Sequence, residues 1–221
     1  MKCKKLGKQL LLFTFKTQKE ITTTFFRMEE YYESPIKRLY QNKFNVFDFL
    51  IESMDDGGHI DYFSKWIGFN IPGHSIKDWS ELHCPNYTPK EMEVLNHITS
   101  KVDVSQPFYV IAAKEGKTDV MDHEIAHALY YLDKSYKARM SGLVLHFKQK
   151  FPVQYKKVQT WLKNMGYNKS VFTDESQAYM STSDKKEIMS KFGITSTEYK
   201  KMERIILEFR DVLCEYNTFK K

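Results

Sequence analysis

A chain of 221 residues, 42% hydrophobic and 15% aromatic, has the length for one domain, or a domain with an appendage, and enough apolar content to bury a core, which excludes global disorder. Its net charge of +6 comes from lysines dispersed along the chain, not from a basic stripe interleaved with aromatics, so a solvated surface is expected and nucleic-acid binding is not. Cys3, Cys84 and Cys214 are distant and odd in number, which excludes a disulfide framework or a Cys-x-x-Cys knuckle and makes a reducing compartment the default.

The start, Met1-Lys2-Cys3-Lys4-Lys5-Leu6, is basic and precedes Leu10-Leu11-Leu12-Phe13, but Lys8 and Lys16 keep that apolar run too short for a signal peptide. No stretch is long enough to span a bilayer, so a cytoplasmic or otherwise intracellular protein is expected, with secretion as an effector left open. Residues 9–27 read as one or two strands, Gln9 to Phe15 and then Glu20 to Phe26, with Thr22-Thr23-Thr24 favouring extended backbone. An acidic, aromatic connection follows over 29–35. Phe47, Leu50, Ile51 and Met54 have helical spacing and end at the breaker Asp55-Asp56-Gly57-Gly58. Tyr62 to His74, aromatic and punctuated by glycine, reads as an irregular packing wall or as the lining of a groove. Residues 1–85 are thus an N-terminal α+β region with no assigned role, and 86–221 a second region, possibly continuous with it.

In that second region Thr88-Pro89-Lys90-Glu91 is a helix start, with Thr as cap, Pro at the first position and Glu at the third. The helix runs to about Lys101, with Met92, Leu95 and Ile98 or Thr99 inward and His97 partly exposed. Pro107 to Ala113 is a short strand, Lys114 to Lys117 a turn, and Thr118 or Asp119 caps the next helix. Later helices open at Phe151-Pro152, closing at Gly166, then at Thr173 and at the capping box Thr195-Ser196-Thr197-Glu198. The last carries Tyr199, Met202, Ile206, Phe209, Leu213 and Tyr216 as one apolar stripe, expected to pack on the core and not on a coiled-coil partner.

Chemistry concentrates in Val120-Met121-Asp122-His123-Glu124-Ile125-Ala126-His127-Ala128-Leu129. At roughly 100° per residue, His123 and His127 lie only ~40° apart on one helix face. Two imidazoles one turn apart can hold one Zn²⁺, with Glu124 beside the metal to handle protons. The flanking Ile125, Ala126, Ala128 and Leu129 bury this helix, and a buried helix has no solubility reason to carry two His and a Glu.

Strand, turn and buried His-Glu-x-x-His helix together resemble the zincin metallopeptidases over residues 107–182. The resemblance implies an α+β fold, mainly helical, with a small β-sheet preceding the His-Glu-x-x-His helix. It also implies one Zn²⁺ with three protein ligands and one open position. The metzincins place the third ligand where Asp133 stands here, but Tyr130 replaces their turn glycine, and on a continuing helix Asp133 would point ~240° away from His127. In the gluzincins a Glu from a later helix completes the site, and Glu175, with Asp174 as the fallback, fits that pattern. The small Ala178, one turn on, would let the two helices approach closely. The thermolysin-like members follow that Glu, four residues on, with an Asp that orients a ligand His, and here the place is held by Tyr179, a candidate hydrogen-bonding group at the site.

The expected function is zinc-dependent peptide-bond hydrolysis, with a peptide or protein as substrate and Glu124 as general base. Tyr130, Tyr131, Tyr136, Tyr179 and His146 are candidate donors to the oxyanion. The strand from Phe108 to Ala113 is a candidate for edge pairing with an extended peptide. The alternative is a catalytically inactive zincin-fold binding or regulatory protein.

Overall fold

The structure, a computed structural model, describes residues 1–33, 49–51, 54, 58, 60, 62–65, 68–83 and 86–218. Within them the chain is mainly helical with one four-stranded mixed sheet, an α+β architecture, and it forms two compact units, Met1–Met121 and Asp122–Lys221. Among the described residues no helix is long and apolar enough to cross a membrane.

The first unit is built on strands β1 (Lys2–Gly7), β2 (Leu10–Phe15), β3 (Gly68–Pro72) and β4 (Tyr109–Lys114), in the order β1-β2-β4-β3. β1 and β2 form an antiparallel hairpin, β2 and β4 run parallel from Leu10 opposite Tyr109 to Phe15 opposite Lys114, and β3 is antiparallel to β4. The central strands are the near-continuous apolar runs, buried on both faces, whereas the edge strand β1 exposes Lys2, Lys4 and Lys5, which discourage further pairing. Because β4 is bonded on both sides, it has no free edge, and the expected pairing of this strand with a peptide does not hold.

The second expected strand is also a helix: α1 spans Gln18–Glu33. Thr17 and Glu20 make a reciprocal capping box, and Ile21, Phe25 and Met28 recur at helical spacing with no exposed surface. The three threonines turn their hydroxyls onto the carbonyls of Gln18, Lys19 and Glu20, so their β preference yields to packing.

The segment from Tyr62 to His74 is not irregular in its described part. It contains a helical turn α2 (Tyr62–Lys65), strand β3 with Phe69 and Ile71 buried alternately, and the start of α3 (Gly73–His83). Gly73 makes that junction possible: a Cβ there would stand 2.5 Å from the Phe108 ring, while its N–H donates to the Phe108 carbonyl at 2.7 Å. Of the helix expected around Phe44 to Met54, Phe49–Ile51 is helical; most of the remainder lies outside the described residues, as do Ser34, Pro35 and Asp55 to Gly57.

Helix α4 (Pro89–Lys101) begins with the expected capping box. Its inward positions are Glu91, Val94 and Ile98, with Met92 exposed. The phase differs by one residue because Arg27 draws Glu91 inward, Nη1 to Oε2 at 3.0 Å. His97 is half-exposed, edge-on to Phe13. One core joins α1, α3 and α4 to the sheet face carrying Leu11, Phe13, Phe15, Val110 and Ala112.

A turn through Gly116, at φ +81°, leads from β4 to α5 (Thr118–Leu132), whose first helical bond is accepted by the Lys117 carbonyl. The side chains of Thr118 and Asp119, the expected caps, lie outside the described ones. The second unit continues with α6 (Lys134–Lys150), α7 (Pro152–Asn164), a 3₁₀ turn at Lys169–Val171, α8 (Phe172–Thr182), α9 (Lys185–Phe192) and α10 (Ser196–Tyr216). Thr173 does not cap α8: the 3₁₀ turn runs straight into it, and the Phe172 N–H donates to Lys169. Helix α8 packs against α6, α7 and α10, and its small Ser176, Ala178 and Ser181 admit these neighbours. The α10 stripe from Tyr199 to Leu213 is buried, and the helix lies on α6 and α8, so it is core.

Candidate metal centre

Helix α5 is a continuous helix through Leu132, as its apolar pattern requires, so His123 and His127 share one face. Ile125, Ala126, Ala128 and Leu129, which flank the two histidines, are buried. On α8, Glu175, Tyr179 and Thr182 stand four and three residues apart, again one face. The two helices meet antiparallel: His127 faces Asp174 and Glu175 at the start of α8, and His123 faces Thr182 at its end.

His123, His127 and Glu175 thereby form a group that could hold a metal ion, with their donor atoms all within 4.8 Å of one another. The two Nε2 atoms are 3.3 Å apart. Glu175 places Oε1 at 3.7 Å from Nε2 of His127 and Oε2 at 4.0 Å from Nε2 of His123. His127 and Glu175 are buried, at 2% and 5% side-chain exposure, whereas His123 keeps 18%.

Each imidazole is held through its other nitrogen. Nδ1 of His127 donates to Oδ1 of Asp174 at 2.9 Å. That carboxylate is steadied by the Gln177 amide at 3.0 Å, and the Gln177 oxygen accepts from the Tyr136 hydroxyl at 2.8 Å. Nδ1 of His123 lies 3.1 Å from Oγ1 of Thr182, whose own proton goes to the Ala178 carbonyl at 2.7 Å. The Thr182 oxygen therefore accepts from His123, which leaves its Nε2 lone pair directed at the group. Both ligand imidazoles are set in the tautomer a cation needs.

Electrostatics set the two imidazoles apart. Burial opposes a charge on His127, but the carboxylates of Asp174, Glu175 and Glu124 outweigh it and hold its pKa well above 6.5. Burial, reinforced by the positive charges of His127 and Lys191, pushes His123 well below 6.5. The two Nε2 atoms face each other at 3.3 Å.

Glu124 is buried, and its charge acts on both His127 and Tyr179. Tyr179 lays its ring on His123, with centroids 4.5 Å apart, and packs edge-on against Trp161 and Phe192; burial raises its pKa, and its hydroxyl is bonded to Tyr167. Asp133 is not near the role of a ligand: it caps α6, accepting from the N–H groups of Ser135 and Tyr136. Tyr130 pairs with Ser141 at 2.9 Å, Tyr136 belongs to the Asp174 network, Tyr131 is exposed, and His146 is exposed on α6.

Sequence reading brought Asp174 forward only as a spare ligand and missed Thr182, Gln177 and the part played by Tyr136. The resemblance puts an orienting carboxylate at position 179, held here by Tyr179; the carboxylate bonded to His127 is that of Asp174. The available signal was the Asp174-x-x-Gln177 spacing, which puts an acid and an amide on one helix face. No protein-family model, no curated protein and no solved structure matches this chain.

Proposed function

We propose that the protein is a zinc-dependent metallopeptidase of zincin type, with His123, His127 and Glu175 as ligands and Glu124 as general base. The observation that carries the reading is that His123, His127 and Glu175 each bring one donor atom within 4.8 Å of the others, with the two Nε2 atoms 3.3 Å apart. Donors bound tetrahedrally to one zinc at 2.0–2.2 Å stand ~3.2–3.6 Å apart, a spacing the imidazole pair already has and Glu175 would reach by a side-chain shift of about an ångström. The bonds from Asp174 and Thr182 to the far imidazole nitrogens support it further, since a metal-binding His is ordinarily oriented in this way. Three protein ligands leave a fourth position, as in catalytic zinc sites, and His123 is the most exposed of the three.

When bound, zinc would lower the pKa of a coordinated water towards ~7 and polarise a substrate carbonyl. Glu124, next to His123 in the chain and buried beside the group, takes a proton from the attacking water and returns it to the leaving nitrogen. Asp174 keeps His127 oriented and offsets the charge it gathers, and Thr182 does the same for His123 without adding charge.

Glu124→Gln tests the assignment. The variant is expected to bind zinc as the parent does and to lose peptide hydrolysis by 10²-fold or more, the scale of a general base. Turnover retained in this variant would remove the role of Glu124. Zinc bound by the parent with no cleavage across a broad peptide library would leave a structural metal site in place of an enzyme.

A further inference from the structure

Lys191 stands two ring contacts from His123 of the candidate metal centre. Its Nζ lies 4.8 Å from the centre of the Tyr179 ring, and that ring lies 4.5 Å from the ring of His123, the one candidate ligand with a partly exposed side chain. Tyr179, Trp161 and Phe192 form an aromatic wall there, and Lys191 is its cationic rim. The lysine is poorly paired: its carboxylate neighbour is Glu187, one turn back at 3.6 Å and 48% exposed. That carboxylate is already engaged, since its other oxygen accepts from the Asp184 N–H in the cap of α9. A half-buried ammonium held over a tyrosine face, with a weak and shared counter-ion, keeps much of its charge for a ligand.

We propose that Lys191 is a specificity-determining residue that recognises a carboxylate on the substrate, close to the bond that is cut. The inference rests on the metallopeptidase reading and adds the substrate class, a peptide bearing an acidic group. Contacts of 4.8 Å and 4.5 Å through the Tyr179 ring keep the cation within about three residues of extended peptide, at ~3.3 Å each, from the His123 ring. The apolar wall would take the stem of an acidic side chain, or a chain end, while Lys191 takes the charge. The carboxylate is either a side chain or the C-terminus of the peptide, two sources of one chemistry.

The test uses binding, so it does not depend on turnover. Three short peptide hydroxamates are titrated into the zinc-loaded full chain by calorimetry: one with Glu and an amidated end, one with Gln and an amidated end, one with Gln and a free C-terminal carboxylate. One carboxylate-bearing compound is expected to bind about tenfold tighter than the amidated Gln compound, the scale of one charge-assisted hydrogen bond, and which one it is identifies the source. Lys191→Arg keeps the preference, and Lys191→Met reduces the ratio to about one at unchanged zinc content. Equal binding of all three by the parent, or a preference that survives Lys191→Met, overturns the role of Lys191 and leaves the metal centre standing. Failure of every hydroxamate to bind a zinc-loaded chain overturns the open fourth position and the inference together, and failure to load zinc at all overturns the metal centre as well.

Discussion

Asp174 and Glu175 are neighbours in sequence with different tasks. About 100° of helical rotation separates them, so one carboxylate reaches Nδ1 of His127 while the other reaches the two Nε2 atoms. Asp174→Asn keeps an acceptor but removes the charge, and it is expected to weaken metal binding by about 10–100-fold with little change in fold, measured by competition with a chelator. Affinity equal to the parent would show that Asp174 does not act through His127. The His123–Glu124–His127 trio was legible in the sequence because four residues on a helix is a local geometry that needs no tertiary information. Glu175 was legible as an acid on a helix with a small residue one turn on. Glu175 was preferred to Asp174 there, but the side each acid turns to depends on the rotation of α8 about its own axis, set by packing of α8 against α6, α7 and α10. Thr182 carries no signal of its own, since a threonine at a helix end is ordinary.

At the scale of elements, the capping boxes at Thr88, Asp184 and Thr195 act as starts in which side chain and backbone satisfy each other. The box at Thr195 matters for the site because α10 supports α8. Thr195→Ala is expected to cost about 1 kcal/mol in a denaturation series, as N-cap losses do. Glu198 in the same box is held down from 4.5 to about 2, first by the backbone N–H of Thr195 and then by Lys157 and Gln154. A carboxylate whose pKa falls on folding stabilises the protein above its unfolded value and loses that contribution as pH falls to about 2. Glu198→Gln should therefore flatten the loss of stability between about pH 4.5 and pH 2, and an unchanged acid limb would contradict the assignment. The α10 stripe and the α4 cap were readable for the same local reason. The strand expected over Glu20 to Phe26 was misread because three threonines were given more weight than the Thr17–Glu20 box and the Ile21, Phe25, Met28 spacing. The edge expected at β4 could not be judged from sequence: its two partners, β2 and β3, lie about 100 and 40 residues away.

For the molecule as a whole, the candidate ligands all belong to the second unit, Asp122–Lys221, while the sheet belongs to the first. Metal binding should stabilise that second unit, because a ligand that binds only the folded state adds RT ln(1 + [L]/Kd) to its stability, about 2.7 kcal/mol at a hundredfold excess over Kd. The account stands or falls on whether three side chains from α5 and α8 share one cation. The direct measurement is the zinc content of the purified chain by elemental analysis, with His127→Ala and Glu175→Ala beside it. One zinc per chain in the parent, with its loss from both variants, is the result expected. A parent that binds no zinc under saturating supply, or full occupancy in either variant, would contradict it.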